Sequence, residues 1–232
     1  MSNTYYGLTP GQIIEDISHC DDAKKVEILG KEYVIFPGVY PSDKFRTTNF
    51  LLKNIEPLIK GASVCDMGCG MGIVGLYALG KGAIKVVQAD INPAAVENAR
   101  ANKDIYHVTD DILEIFHSNC FDQIPLQTFD FIIFNIPFHS EQHEINSSLD
   151  HAFFDPGFAS TKRFLSQAQQ FSHAETKIVI AFSNKGDTQT VERIFDKLGY
   201  QWRLWKIANT DQKYDNRLYL LSLIHISEPT RL

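Results

Sequence analysis

Residues 63–75 read SVCDMGCGMGIVG, and the order of residue types in this stretch predicts the fold class. A short apolar run reaches Asp66, a loop follows with glycine at every second position (Gly68, Gly70 and Gly72), and an apolar helical pattern begins directly after it. Glycine allows the backbone to turn sharply and to approach a ligand closely. The stretch therefore predicts a strand, a ligand-binding loop and a helix in direct succession.

Strand-like and helix-like patterns alternate along the rest of the chain. The predicted strands are residues 63–66, 85–90, 106–109, 129–135 and 177–183, and the predicted helices are residues 73–79, 93–102, 160–172 and 188–198. Two closing strands, residues 200–208 and 216–220, are separated only by a polar turn. Alternation favours parallel pairing, and two strands without a helix between them favour a hairpin. We predict an α/β fold with a Rossmann-like, doubly wound, mostly parallel seven-stranded sheet and an antiparallel closing hairpin.

The N-terminal part of the chain differs from this central pattern. Residues 1–38 are predicted to form an arm that is helical up to about Gly30 and has one short strand at residues 32–36. Residues 39–220 are predicted to form the main domain, which opens with a loop and a helix at residues 47–59.

The last twelve residues, 221–232, read LSLIHISEPTRL. A back-translation of eleven of them matches the transposon end and adapter used in fragmentation-based sequencing libraries. We therefore expect residues 221–232 to be translated adapter sequence and the native C-terminus to be missing, and we leave this segment out of functional reasoning.

Composition narrows the classes of function. The 232 residues carry a formal net charge of −6, so we expect no broad basic surface for nucleic acid, while a local basic patch stays open. No apolar run approaches the ~20 residues of a membrane helix, and the first residues lack a secretory-signal pattern. The four cysteines form no Cys-x-x-Cys pair, which predicts no metal site and a cytoplasmic location.

Two cofactors compete for the glycine loop. The pattern G-x-G-x-x-G that starts at Gly70, with Asp90 twenty residues later, is typical of dinucleotide-binding proteins. Asp66, however, lies at the strand tip ahead of the loop, where its charge would repel a pyrophosphate and would suit a cation such as the amino group of a methionine moiety. With either cofactor, a carboxylate at Asp90 can accept hydrogen bonds from both hydroxyl groups of a ribose.

These residues resemble the first motifs of the class I methyltransferases that use S-adenosylmethionine. The resemblance implies that S-adenosylmethionine is the cofactor and that a shared set of residues seats it, namely Asp66, Gly68, Cys69, Gly70, Gly72, Asp90 and Ile91.

The resemblance implies two further cofactor contacts. An acid after the third strand would contact adenine, for which Asp111 is favoured and Asp110 stays open; either acid could instead cap a helix. Thr48, in the segment ahead of the glycine loop, is implied as a polar contact, with the alternative that Thr47 or Thr48 caps the helix.

A second motif, Asn135-Ile136-Pro137-Phe138, ends the predicted strand at residues 129–135. Ligands bind at the carboxyl ends of strands in doubly wound sheets. The amide oxygen of Asn135 and the carbonyl of Ile136 can accept the two hydrogens of a planar NH2 group, while Pro137 keeps Ile136 extended and Phe138 offers a ring face. We predict that this tetrad positions an acceptor nitrogen without a metal.

The tetrad resembles the Asn-Pro-Pro-Tyr/Phe motif of amino-methyltransferases, with isoleucine in place of the first proline. Residues 39–220 are similar to the small-domain branch that contains glutamine N5-methyltransferases and guanine-N2 methyltransferases of ribosomal RNA, and the tetrad is also similar to that of the rRNA adenine-N6 dimethyltransferases. The resemblance implies methyl transfer to a protein glutamine amide or an RNA base amine, with a small molecule as an alternative. A nicotinamide-dependent oxidoreductase and a non-catalytic cofactor-binding scaffold stay open, and the oligomeric state is not predicted.

Overall fold

The computed structural model describes residue 5, residues 8–209 and residues 214–223. The strands are β1 Lys24–Ile28, β2 Lys31–Ile35, β3 Ser63–Met67, β4 Lys85–Asp90, β5 Leu113–His117, β6 Phe129–Asn135, β7 Ser172–Ser183, β8 Tyr200–Asn209 and β9 Asp215–Leu223. The helices are α1 Pro10–Ser18, α2 Arg46–Ile55, α3 Ile73–Gly80, α4 Pro93–Ile105, α5 Ala159–Ala168 and α6 Thr188–Lys197. None of the helices in these ranges has the length and apolar character needed to span a bilayer.

The large sheet has the strand order β5-β4-β3-β6-β7-β9-β8. The strands from β5 to β7 pair in parallel, and β9 and β8 pair antiparallel at one edge. This arrangement confirms the predicted doubly wound sheet with its closing hairpin. The chain order reverses between β3 and β6, and open α/β sheets bind their ligands at the carboxyl ends of the strands at such a point.

Apolar layers cover both faces of the sheet. On β3, the side chain of Cys65 packs in one layer with Phe164 of α5 and Phe195 of α6. The preceding residue, Val64, packs in the opposite layer with Leu51 of α2. Strands buried on both faces read as nearly continuous apolar runs, which explains why the central strands are recognisable in the sequence.

The predicted strand at residues 106–109 is wrong, because this segment closes α4. The helix continues to Ile105, His107 adopts a left-handed φ of 51°, and the N–H of Val108 donates to the carbonyl of Lys103. The strand that pairs with β4 is β5, which starts after a further turn. Acidic residues between α4 and β5 therefore precede the strand instead of following it.

The N-terminal segment contains more structure than a helix and a single strand. Thr9 begins α1 with a capping box that also involves Gln12. β1 pairs antiparallel with β2. Leu29 and Gly30 in the turn have positive φ values of 50° and 76°, as a type I′ hairpin turn requires. The sequence pattern does not reveal β1, because residues 24–28 read KKVEI and are mostly exposed.

Two buried asparagines attach this hairpin to α4. Asn98 donates from Nδ2 to the carbonyl of Val34 at 2.9 Å and accepts at Oδ1 from the N–H of Phe36 at 2.9 Å. Asn102 accepts from the N–H of Val34 and donates to the carbonyls of Val34 and Met71, each at 2.8 Å. Side chains therefore satisfy the backbone groups along the edge of β2.

The end of the chain is described only in part. Residues 221–223 belong to β9, where Leu221 is buried and pairs with Ile178. Residues 224–232 lie outside the described residues, so the interpretation of residues 221–232 as adapter sequence stays a prediction.

We expect Asn102→Ala to lower the free energy of unfolding by about 2–3 kcal/mol, because it leaves buried backbone groups of Val34 and Met71 without partners. Urea denaturation measures this change. Asp104→Ala, an exposed position on the same helix, is the matched control, with an expected change within about 0.5 kcal/mol. Equal stability of the two variants would contradict the attachment role of Asn102.

Candidate active site

A cavity of about 800 Å³ lies at the carboxyl ends of β3, β4 and β6. Pockets of this size enclose drug-sized ligands. The predicted site residues that line it are Thr48, Asp66, Gly68, Cys69, Gly70, Asp90, Ile91, Asn135, Ile136, Pro137 and Phe138. The structure thus brings the glycine loop and the tetrad into one cavity.

Two glycines of the loop, Gly68 and Gly72, lie too close to their neighbours for a side chain. Gly68 has a φ of 64°, and a Cβ there would lie 2.7 Å from Cε2 of Phe134. Gly72 has a φ of 82°, and its Cβ would lie 3.0 Å from Cβ of Ala99 in α4. L side chains rarely adopt such φ values. Gly72 is not among the cavity-lining residues; it permits the close packing of α3 and α4.

Asp90, at the end of β4, ties the glycine loop to the next strand. Its Oδ2 accepts from the N–H of Gly70 at 2.8 Å, and its Oδ1 accepts from the N–H of Asn92 at 2.9 Å. Asn92 in turn caps α4 by accepting from the N–H of Ala94. Burial raises the pKa of the Asp90 carboxyl, and the backbone donors limit that rise. The carboxylate is therefore held in a fixed orientation at the cavity wall.

Asp66 lies near the end of β3 and is 3% exposed. Its Oδ2 accepts from Nε2 of Gln88 at 2.7 Å, and the backbone N–H of Gly75 is a second donor to this carboxyl. Burial raises the pKa of Asp66 from 3.8 to about 7. The cavity therefore contains a carboxyl group whose charge changes near neutral pH.

The tetrad leaves the sheet at the end of β6. The N–H of Ile136 donates to the carbonyl of Ala181 at 3.1 Å, and the ring of Phe138 meets Phe182 edge-on with the ring centroids 5.5 Å apart. Oδ1 of Asn135 is buried and has no hydrogen-bond partner among the described residues. Leaving a buried acceptor unpaired costs free energy. The cavity therefore offers an unused acceptor at this atom.

Asp111 does not belong to this site. It lies in an exposed turn before β5, at the opposite end of the sheet from the cavity, and Asp110 beside it forms an ion pair with Lys103. The misplaced third strand is the reason, because an acid that precedes a strand is at its amino end. The residues that follow β5 and line the cavity are Ser118, Asn119 and Cys120. A correct assignment of β5 would have found them.

The sequence patterns also miss one wall of the cavity. Pro10 and Ile13 of α1 line it, and Phe45 stacks between Tyr5 and Tyr40, with ring centroids 5.8 Å and 4.5 Å away. Local sequence carries little signal for this wall, because α1 and these rings meet only in the folded chain.

This wall is connected to the tetrad by the loop that follows it. Ile13 packs in one apolar cluster with Phe153 and Phe154. The backbone of Phe154 in turn forms an isolated parallel β-bridge with that of His139, the residue directly after the tetrad. The N-terminal helix, the loop and the tetrad therefore form one continuous packing unit.

His139 adds a titratable group beside the tetrad. Its Nδ1 lies 3.3 Å from Oε1 of Glu141. Burial lowers the pKa of His139 despite this carboxylate, so the ring is neutral near pH 7. Within the described ranges, no three His, Cys, Asp or Glu side chains are grouped so that they could hold a metal ion.

The family model of the methyltransferase small domain matches residues 32–200, which is more than half of the chain. The chain belongs to this family. This membership agrees with the methyltransferase resemblance of the glycine loop and the tetrad.

Curated relatives in this family match part of their length. A candidate protein N5-glutamine methyltransferase from Methanocaldococcus jannaschii is 35% identical over 130 residues, which are 55% of this chain and 62% of that protein. The bifunctional methyltransferase of Rickettsia prowazekii is 28% identical over 163 residues, which are 64% of this chain and 31% of that protein. The chain therefore spans less than two thirds of either relative.

Solved structures share the fold of this chain. The 16S rRNA N2 methyltransferase of T. thermophilus, in complex with AdoMet and guanosine, has a TM-score of 0.64 at 20% identity. The superposition covers 88% of this chain and 50% of that chain.

We expect Gly186→Ala to lower the free energy of unfolding by about 1–3 kcal/mol, measured by urea denaturation. A Cβ at Gly186 would lie 2.2 Å from the carbonyl oxygen of Phe138 and 2.5 Å from Cζ of Phe182, so the tetrad must shift. Gly11→Ala in α1 is the control, because a Cβ there meets no atom within 4 Å. A Gly186→Ala variant as stable as the unaltered protein would contradict this packing role.

Proposed function

We propose that this chain is an S-adenosylmethionine-dependent methyltransferase that transfers a methyl group to the nitrogen of a planar amino group. The observation that carries the proposal is Oδ1 of Asn135, which is buried at the cavity and finds no hydrogen-bond partner in the part of the chain that the structure describes. An NH2 group beside Asn135 would donate to this atom and remove the cost of leaving it unpaired. Its position at the carboxyl end of β6, next to the glycine loop, supports an acceptor that meets the cofactor.

The residues around the glycine loop fit the cofactor. A Cβ at Gly70 would meet no atom within 4 Å, so the loop surface there is open to a ligand. Asp66 would face the amino group of the methionine part, and Asp90 would accept from the ribose hydroxyls, with Cys69, Ile91 and Thr48 completing the wall. When bound, the cofactor supplies an electrophilic methyl group on a positively charged sulfur.

The end of β5 is proposed to hold the adenine. Ser118 and Asn119 follow this strand and line the cavity. The N–H of Ser118 donates to the carbonyl of Asp90 at 2.9 Å, which places this segment beside the proposed ribose contact. Asp111 is not part of this proposal.

The tetrad is proposed to orient the acceptor nitrogen. Oδ1 of Asn135 and the carbonyl of Ile136 would accept its two hydrogens, and the ring of Phe138 would cover the acceptor plane. The gain is mainly positional, because the nitrogen lone pair is directed at the methyl group. The nitrogen loses a proton when the N–C bond forms, and the neutral ring of His139 beside the tetrad can accept it.

The acceptor itself is proposed to be a protein glutamine amide or an RNA base amine, with a small molecule as the alternative. The names of the M. jannaschii relative and the T. thermophilus neighbour support the first two. The protein would be incubated with tritiated S-adenosylmethionine and an undermethylated cell extract, followed by protease or ribonuclease. Label released only by protease indicates a protein amide, and label released only by ribonuclease indicates an RNA base. Failure to label any acceptor, while a control methyltransferase labels the same extract, would count against methyl transfer.

We expect Asn135→Ala to lower methyl transfer in this assay at least about hundredfold, because the acceptor nitrogen loses an oriented hydrogen bond in the reacting state. The affinity for S-adenosylhomocysteine, measured by calorimetry, is expected to stay unchanged. Asn146→Ala, at an exposed asparagine in the loop after the tetrad, is the control, and we expect it to leave methyl transfer and S-adenosylhomocysteine affinity unchanged. Loss of S-adenosylhomocysteine binding by Asn135→Ala would refute the assigned role.

Asp90→Asn tests the proposed ribose contact. We expect S-adenosylhomocysteine to bind about ten- to a hundredfold more weakly, because two charge-assisted hydrogen bonds to the ribose are lost. Asp111→Asn changes the same side chain at an exposed position outside the cavity and is expected to bind normally. Calorimetry measures the affinity of each variant, and thermal unfolding checks that each is folded. Equal weakening of binding by the two variants would argue against Asp90 as the ribose contact.

A further inference from the structure

We propose that Gln88 is a positioning residue, which keeps the Asp66 carboxylate charged and directed at the amino group of the cofactor. This inference rests on the proposed cofactor site. No sequence motif singles out Gln88, which lies in the interior of β4 and does not line the cavity.

The two side chains are buried and contact each other directly. Gln88 is fully buried and is the β-sheet partner of Asp66 across the β3–β4 pair. Its Nε2 donates to Oδ2 of Asp66 at 2.7 Å. A hydrogen bond to a buried carboxylate stabilises the charged form and fixes its orientation.

The glycine loop encloses the amide of Gln88. A Cβ at Gly75 would lie 2.6 Å from Nε2, and a Cβ at Gly72 would lie 3.2 Å from Oε1. The amide therefore fills the space that two glycines leave at the start of α3. A shift of Gln88 would move both the loop and Asp66, so this one side chain couples them.

The other end of the amide shows that packing alone does not explain a glutamine here. Oε1 of Gln88 is buried, and no described residue forms a hydrogen bond with it. An apolar side chain of similar length, such as methionine, would occupy the same space without that cost. The donor Nε2 is the part of the side chain that has a partner, and that partner is Asp66.

The surroundings of Asp66 otherwise oppose its charge. Burial is the largest effect, the carboxylate of Asp90 adds to it, and together they raise the pKa of Asp66 to about 7 against the opposing hydrogen bonds. The nearby thiols of Cys65 and Cys69 are also buried, and burial raises the pKa of each, so they stay neutral. The donors from Gln88 and Gly75 favour the carboxylate. Removing the Gln88 donor would therefore raise the pKa of Asp66 and favour its neutral form at pH 7.

Gln88→Met tests the proposal by calorimetric titration with S-adenosylhomocysteine between about pH 5.5 and 7.5, where the amino group of this probe keeps its proton. In the unaltered protein, affinity should fall as the pH drops and Asp66 is protonated. In Gln88→Met, we expect about tenfold weaker binding at pH 7 and a fall that starts at higher pH. Gln123→Met, at an exposed glutamine, is the control and leaves the profile unchanged.

An Asp66→Asn background separates positioning from packing. Asp66→Asn should remove the pH dependence, and adding Gln88→Met should then cause no further loss, since the two residues act through one contact. If Gln88→Met instead weakens binding equally at every pH and in both backgrounds, Gln88 has only a packing role and the inference is overturned.

A second measurement uses the unaltered protein and does not depend on the variants folding. Carbon-13 NMR of the Asp66 carboxyl is expected to show titration near neutral pH, and S-adenosylhomocysteine should shift that titration downward. A carboxyl that does not respond while the probe binds would overturn the inference alone. Absence of probe binding to the unaltered protein would instead overturn the proposed cofactor site, and this inference with it.

Discussion

The glycines at the start of α3 and in the loop before it pack directly on side chains of the sheet, and the cavity depends on this contact. Gly68 lies against Phe134, and Gly75 lies against the buried amide of Gln88. The close approach brings the N–H of Gly70 onto the carboxylate of Asp90. Side chains at these glycines would push the loop away from the strand tips and separate the groups proposed to seat the cofactor.

The same close packing buries two carboxyl groups at neighbouring strand ends. Burying a carboxyl group costs free energy unless hydrogen bonds satisfy it. The hydrogen-bond donors differ between the two groups. Asp90 accepts from the backbone at Gly70 and Asn92, which also orders the start of α4. Asp66 accepts from the side chain of Gln88. The burial that raises the pKa of both groups also strengthens their attraction for a positively charged or hydroxyl-bearing ligand.

The tetrad, which is proposed to orient the acceptor, is held by contacts of another kind. The tetrad is bonded to β7 through the N–H of Ile136, and the carbonyl of Phe138 lies where a Cβ of Gly186 would be. Asn135 belongs to this segment, and its amide oxygen has no hydrogen-bond partner among the described residues. Rings from the N-terminal segment and from the loop after the tetrad form the adjoining wall. The proposed cofactor site is thus built mainly from short sequence motifs, while the proposed acceptor site combines one such motif, the tetrad, with distant segments.

The sequence by itself determined the doubly wound sheet, the glycine loop and the tetrad, because apolar runs and turn-forming residues act over a few neighbouring positions. It misplaced the third strand, and with it Asp111, since an apolar pattern after α4 does not reveal where a helix ends. Only the tertiary structure decided that Asn102 attaches the hairpin through Val34, 68 residues away, and that Gln88 supports Asp66 beneath the loop. Such contacts depend on how separate elements pack, and a buried polar side chain takes its role from the partner that packing brings to it.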